Sequence, residues 1–245
     1  MKVLLTRRSA DNARMAALFA PLGLEAVLLP LTELEDSGLA LPDHGHDFSV
    51  FTSAAAIEVL SARGDGRLKD KPAYGVGPRT GELLRQEAYS DVRQGPGDAE
   101  GLAGLIAVDF GGRNAVRGIY PCGEQRARDL AVMLKPAGIA LDLAEIYQFR
   151  ECAVGRDAMA AALGSTKGGA AAVFSAESGK RLVTRARRLG LEDMLQAISL
   201  AALSQGVADA VDTSLFRDVH VAAHPDAQAM AEMLAGMQRG SDPQP

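Results

Sequence analysis

The sequence predicts an α/β protein made of two similar lobes, each a parallel sheet flanked by helices. Three observations predict it. Short apolar runs alternate with helix-compatible stretches, the pattern of strand–helix units in a parallel sheet. The order of those units recurs after roughly 120 residues. The 245 residues are 47% hydrophobic and 23% charged, which is enough apolar material for two cores.

In chain order, Lys2–Leu5 reads as a buried strand. A helix follows over Ala10–Leu22, with Ser9 as its N-cap and Gly23 as its stop. Ala26–Leu31 and Phe48–Thr52 are the next strands, and Ser53 opens a helix over Ala54–Ala62. Ala73–Val76 is a strand, and Gly77-Pro78-Arg79-Thr80 leads into a helix over Gly81–Ala88.

The second half repeats this order. Strand Gly118–Tyr120, helix Arg126–Leu134, Gly138 and strand Leu141–Ile146 match the first strand–helix–strand section. Residues 170–175 match 47–53, residues 201–207 match 74–80, and residues 225–233 match 97–105. Two copies of one five-stranded unit imply two lobes with a cleft between them.

Composition excludes several function classes. The net charge is −5, and the aromatics are 7 Phe, 4 Tyr and no Trp, so neither duplex binding nor base stacking is expected. Two cysteines make no disulfide framework and read as free thiols. The apolar run after Lys2 is too short for a signal peptide, and no stretch is long enough to span a membrane. The expectation is a soluble, cytoplasmic monomer with a small-molecule partner, binding neither nucleic acid nor membrane. The tail from Arg239 to Pro245 is turn-rich and expected to fray.

Ligands of open α/β sheets sit outside the carboxyl ends of the strands. That rule selects Thr6-Arg7-Arg8, Thr52-Ser53, Gly77–Thr80, Pro121–Arg126, Ser175–Ser178 and Ser204-Gln205-Gly206. Hydroxyls, helix N-termini and arginines suit a polyanion. Gly75-Val76-Gly77-Pro78-Arg79-Thr80-Gly81 has the wrong spacing for a dinucleotide fingerprint and reads as a tight turn opening a helix. His44 and His46 lack further ligands nearby in sequence, and His220 and His224 are four apart where Asp218–Ala223 reads as a strand, on which that spacing does not converge, so no metal is expected. Lys180, Arg181, Arg185, Arg187 and Arg188 read as a solvated helix face, or as the border of an acidic-ligand cleft. Cys122 reads as a buried thiol without a base to activate it.

The chain resembles the uroporphyrinogen-III synthase family. The matches are Val3–Arg7, Asp47–Ser53, Val76–Thr80, Ile119–Gly123, Gly138 through Tyr147, Phe174-Ser175 and Ala222–Met230. Each is weak alone; their order and spacing carry the likeness. The resemblance implies two α/β domains joined by a short two-stranded linker. One domain takes residues 1–34 and 153–245, the other residues 38–146, with linker strands at 35–37 and 147–152. It implies a cofactor-free lyase, without metal, that cyclises linear hydroxymethylbilane to uroporphyrinogen III with loss of water and inversion of ring D. By family position, Tyr147, expected to close its strand, assists departure of the hydroxyl. Ser53, Thr80 and Ser175 match substrate-contacting hydroxyls, and backbone amides around Gly77 and Ser178 contribute. Thr6 and Arg7 join this set from the strand-end rule. Relatives often carry Gly-Pro-Thr-Thr where this chain has Ser204-Gln205-Gly206-Val207, so Ser204 or backbone N–H groups stand in there. The alternative is a two-lobed, non-catalytic protein that binds a small anion.

Overall fold

A computed structural model describes residues 1–123 and 128–241. In chain order it begins with β1 (Lys2–Leu5), α1 (Ser9–Phe19), a 3-10 turn over Ala20–Leu22, β2 (Glu25–Leu28) and β3 (Thr32–Asp36). Then come β4 (Phe48–Phe51), α2 (Ala54–Ala62), β5 (Pro72–Gly75), α3 (Pro78–Gln86), β6 (Asp91–Gln94) and α4 (Ala99–Phe110). β7 (Arg117–Gly123), α5 (Arg128–Leu134), a 3-10 turn over Lys135–Ala137 and β8 (Ala140–Glu151) follow. The chain ends with α6 (Arg156–Ser165), β9 (Ala170–Val173), α7 (Ala176–Arg188), β10 (Ser199–Ala202), α8 (Gln205–Asp209), β11 (Val219–Val221) and α9 (Ala227–Ser241). Among the described residues no helix is long and apolar enough to cross a membrane.

Two compact units result. The first joins Met1–Glu33 to Arg150–Pro245, and the second is Leu34–Phe149. The first unit's sheet runs β11-β10-β9-β1-β2, and its four neighbouring pairs are all parallel. The second unit's sheet runs β3-β8-β7-β4-β5-β6, parallel from β8 to β6. With β3 set aside, the two orders superpose strand for strand on the repeat: β2 on β8, β1 on β7, β9 on β4, β10 on β5 and β11 on β6. The matched helices α1 and α5 also end alike. Each runs into a 3-10 turn closed by a left-handed glycine, Gly23 at φ +72° and Gly138 at φ +73°. A residue with a Cβ is strained there.

Both sheets are buried on both faces, as parallel sheets are. In the first unit Leu4, Ala171, Val173 and Leu200 pack under α6 and α7, while Val3, Leu5, Ala170 and Ala172 pack under α1 and α9. In the second, Phe51, Ala73 and Ile119 face α2 and α3, while Val50, Tyr74 and Tyr120 face α4 and α5. Each fully buried Leu or Phe is worth about 1.5–3 kcal/mol of removal from water. α7 shows the same logic on one helix. Gly179, Leu182, Val183 and Ala186 are buried at helical spacing, and the basic residues take the other face.

Several boundaries differ from those expected. Ser9 is the first residue of α1, not its cap; Arg8 holds the N-cap position but its side chain makes no capping bond, and Ser9 Oγ bonds Glu33 instead. β2 ends at Leu28, not Leu31. α3 starts at Pro78, three residues early, because the fixed φ of proline suits the first helical position. β8 does not close at Tyr147 but continues to Glu151. Arg126, expected to start a helix, lies outside the described residues, as do Glu124 and Gln125 of the strand-end set and residues 242–245 of the tail.

Candidate active site

The carboxyl edge of the second unit collects Ser53 after β4, Gly77–Thr80 after β5 and Gly123 at the end of β7. Tyr147 reaches the same level, because it is paired with Gly123 in the β7–β8 register. The register shifts at this point: Cys122 faces Glu145, but Gly123 faces Tyr147. Ile146 is therefore an extra residue on β8. Such a bulge breaks the in–out alternation, and both Ile146 and Tyr147 are buried in the cluster that holds Ala55, Ala56 and Ile57 of α2. The Tyr147 ring meets Phe149 edge-on at 5.6 Å between centroids.

Ser53 Oγ accepts from the Ala55 N–H at 3.2 Å and caps α2. A hydroxyl used this way still has a proton to donate. α3 differs, since its N-cap is Gly77 and no side chain caps it. A Cβ on Gly75 would lie 2.9 Å from the Gly81 nitrogen, so this glycine lets α3 approach the strand. Thr80 is buried and Arg79 exposed. Cys122 is buried, and burial pushes its thiol up to about 11. It is protonated at neutral pH and not a nucleophile.

At the first unit's carboxyl edge, Asn12 pins the turn after β1. Its Nδ2 donates to the Leu5 carbonyl at 3.1 Å and the Arg7 carbonyl at 2.7 Å. Asp11, 5% exposed, receives three guanidinium groups: Arg8 at 2.8 Å, Arg14 at 3.1 Å and Arg7 at 3.2 Å. A carboxylate this buried needs such partners, and with Glu33 bonded to Ser9 the turn still sets three cations against two anions. Arg7 also lies over the Phe174 ring, 5.1 Å from its centroid. This pair bridges β1 and β9, where the sheet order reverses, the usual ligand position in such sheets. Sequence reading put Arg7 here and counted Phe174 among the family matches, but had no signal for Asp11 or for the Arg7–Phe174 contact, which depend on side chains meeting in space.

The serines of this edge are helix caps. Ser175 Oγ accepts the Ser178 N–H and Ser178 Oγ accepts the Ser175 N–H, both at 3.2 Å, a reciprocal capping box on α7. Ser204 Oγ caps α8 by accepting the Val207 N–H at 3.4 Å. Thr6 is placed differently from its expectation. It is 3% exposed, and its Oγ1 is sealed inside without a hydrogen-bond partner. As folded, that hydroxyl reaches no ligand at the surface. Part of the basic run on α7 is structural: Arg181 and Arg185 share Glu151 at 3.4 and 3.3 Å, and Arg187 pairs with Asp212.

Comparison with known proteins settles the family. The family model for uroporphyrinogen-III synthase HemD matches residues 13–232. The chain belongs to the uroporphyrinogen-III synthase family. Solved structures share its fold. The uroporphyrinogen-III synthetase of Helicobacter pylori matches with a TM-score of 0.65 at 15% identity, over 96% of this chain and 98% of that one. A mutant uroporphyrinogen III synthase of Thermus thermophilus matches with a TM-score of 0.50 at 17% identity, over 98% of each chain. Family members act in haem biosynthesis on a tetrapyrrole substrate, and the mixed α/β fold with two parallel sheets is the one expected from the sequence.

Proposed function

We propose that this chain is a uroporphyrinogen-III synthase, a lyase that closes linear hydroxymethylbilane with loss of water and inversion of ring D. The observation that carries the reading is the family match over residues 13–232. The alternative, a non-catalytic anion-binding protein, has no observation of its own.

The chemistry asks little of the protein as a catalyst and much as a template. The hydroxyl leaves an electron-rich pyrrole, and the azafulvene that results needs no metal or cofactor to form. Unguided closure gives the uninverted isomer, so the protein's task is to present the substituted carbon of ring D for attack. The substrate's eight carboxylates call for donors. Arg7, Ser53 and Thr80 fill that role in this reading, with the amides around Gly77 and the caps Ser175, Ser178 and Ser204. Arg7, held by Asp11 and Phe174, is the strongest of them. Thr6 shapes the turn rather than touching ligand. Tyr147 donates its phenolic proton to the departing hydroxyl, which leaves as water. The acidic net charge and scarce aromatics fit a small-molecule enzyme rather than a nucleic-acid binder; in this reading it works in the cytoplasm as a monomer.

The test is direct. The protein is supplied with hydroxymethylbilane as it forms, the product is oxidised, and isomers I and III are resolved. Isomer III in excess supports the synthase; isomer I alone, at the spontaneous rate, removes it.

A further inference from the structure

His44 and His46 sit in the loop between β3 and β4, and Asp142 is the third residue of β8. They are far apart in sequence but share one atom: His44 Nε2 lies 2.6 Å and His46 Nε2 3.0 Å from Asp142 Oδ2. Among the described residues this is the only set of three or more His, Cys, Asp or Glu side chains whose ligand atoms all lie within 4.8 Å of one another. The side chains of His46 and Asp142 are 5% and 22% exposed, and that of His44 is 54% exposed. Two ligands are thus held in place and the third stands at the rim of a hollow of about 170 Å³.

We propose that His44, His46 and Asp142 form a binding site for one divalent transition metal ion of the zinc class. Two imidazole nitrogens and one carboxylate oxygen are the donors such ions prefer, whereas calcium and magnesium ask for oxygen alone. Three protein ligands leave the fourth tetrahedral position to water. Bonds of about 2.0–2.1 Å at tetrahedral angles put ligand atoms about 3.3 Å apart. The present separations of 2.6 and 3.0 Å need to open by about 0.7 and 0.3 Å to reach that geometry. Gly45 between the histidines has no atom within 4 Å of its Cβ position, so the loop has room to adjust.

The surroundings support Asp142 as a ligand. Arg117 donates to Asp142 Oδ1 at 2.9 Å, which orients the carboxylate from outside the ligand set. The same guanidinium nitrogen also lies 3.2 Å from Oδ2; with its side chain 48% exposed, it can yield that second contact.

The site is remote from the proposed chemistry. Asp142 pairs with Ile119 near the start of β7, and Tyr147 pairs with Gly123 at its end. Five residues of strand separate them, about 16 Å. A metal here ties the loop before β4 to β8 and takes no part in cyclisation, so this inference stands apart from the proposed reaction.

The test uses the full chain, stripped with a chelator and titrated with Zn2+ by calorimetry and with Co2+ by absorption. Expected are one Zn2+ per chain, a rise of the unfolding temperature with Zn2+, and Co2+ d–d bands without a thiolate charge-transfer band. His44→Ala, at the exposed rim, and Asp142→Asn should each weaken binding by about tenfold or more. A His220→Ala/His224→Ala double variant should bind like the parent. No stoichiometric Zn2+ binding overturns the proposal. So does binding unchanged in both His44→Ala and Asp142→Asn, or a thiolate band that moves the ion to cysteine.

Discussion

Tyr147 and Gly123 are register partners, and the Tyr147 ring fills the space in which any side chain at position 123 would begin. A Cβ built on Gly123 would stand 2.7 Å from Tyr147 Cε2. Gly123→Ala must therefore displace the ring. Overpacking of this kind costs about 1–3 kcal/mol, read from the urea midpoint. The displaced phenol should also lower turnover and raise isomer I. A variant with unchanged stability and an unchanged isomer ratio would show that the ring's position is not held by this contact.

Tyr147→Phe removes only a hydroxyl and should leave the fold intact. General acid assistance is worth about 10²–10⁴-fold, and a leaving group this easily lost places the effect at the low end or below it. Turnover should fall roughly 10–100-fold. Substrate that escapes the slow enzyme closes by itself, so isomer I should rise against III. Full turnover with isomer III alone, in a folded variant, would take Tyr147 out of the chemical step.

Asp11 and Arg7 separate stability from binding. Asp11→Ala removes the carboxylate shared by Arg8, whose side chain is 9% exposed, Arg14 and Arg7. Removing one partner of a buried pair costs about 3–5 kcal/mol, and denaturant unfolding measures it. Arg7 is more open, at 26%. Arg7→Ala should raise the Michaelis constant severalfold with a modest loss of stability, since a cation over a half-buried ring is worth about 0.5–2 kcal/mol. Added salt should raise the Michaelis constant of the parent more than that of Arg7→Ala, because it screens charges beyond about 8–10 Å.

Asp36 predicts an acid response. Its side-chain bond from Arg63, then the backbone bond from Gly38, lower its carboxyl from 3.8 to about 2. A group depressed in the folded state adds stability above its unfolded value and loses it as pH falls through the folded one. The stability gap between the parent and Asp36→Asn should be constant above about pH 5 and close between pH 4 and 2. The pair is half open to solvent, so the gap is small. Urea midpoints between pH 2 and 6 measure it, and a gap that widens on acidification would contradict the assignment.

Much of the fold was legible in the chain. α2 runs over the expected Ala54–Ala62 with Ser53 as its working cap, and the repeat foretold two sheets with the same strand order. These features rest on local chemistry: a hydroxyl that reaches the next turn's N–H, apolar runs of strand length, and glycines where φ is positive. They depend on near neighbours, so sequence alone determines them. The bulge at Ile146, the three arginines on Asp11, the Arg7–Phe174 contact and the meeting of His44 and His46 with Asp142 were not legible. Each joins groups through sheet register or through the packing of one element on another. Asp142 lies 98 residues from His44, and no spacing rule reaches that far. Only when β8 pairs with β7 do the ends of those strands acquire neighbours, and the candidate site and the metal site depend on those neighbours.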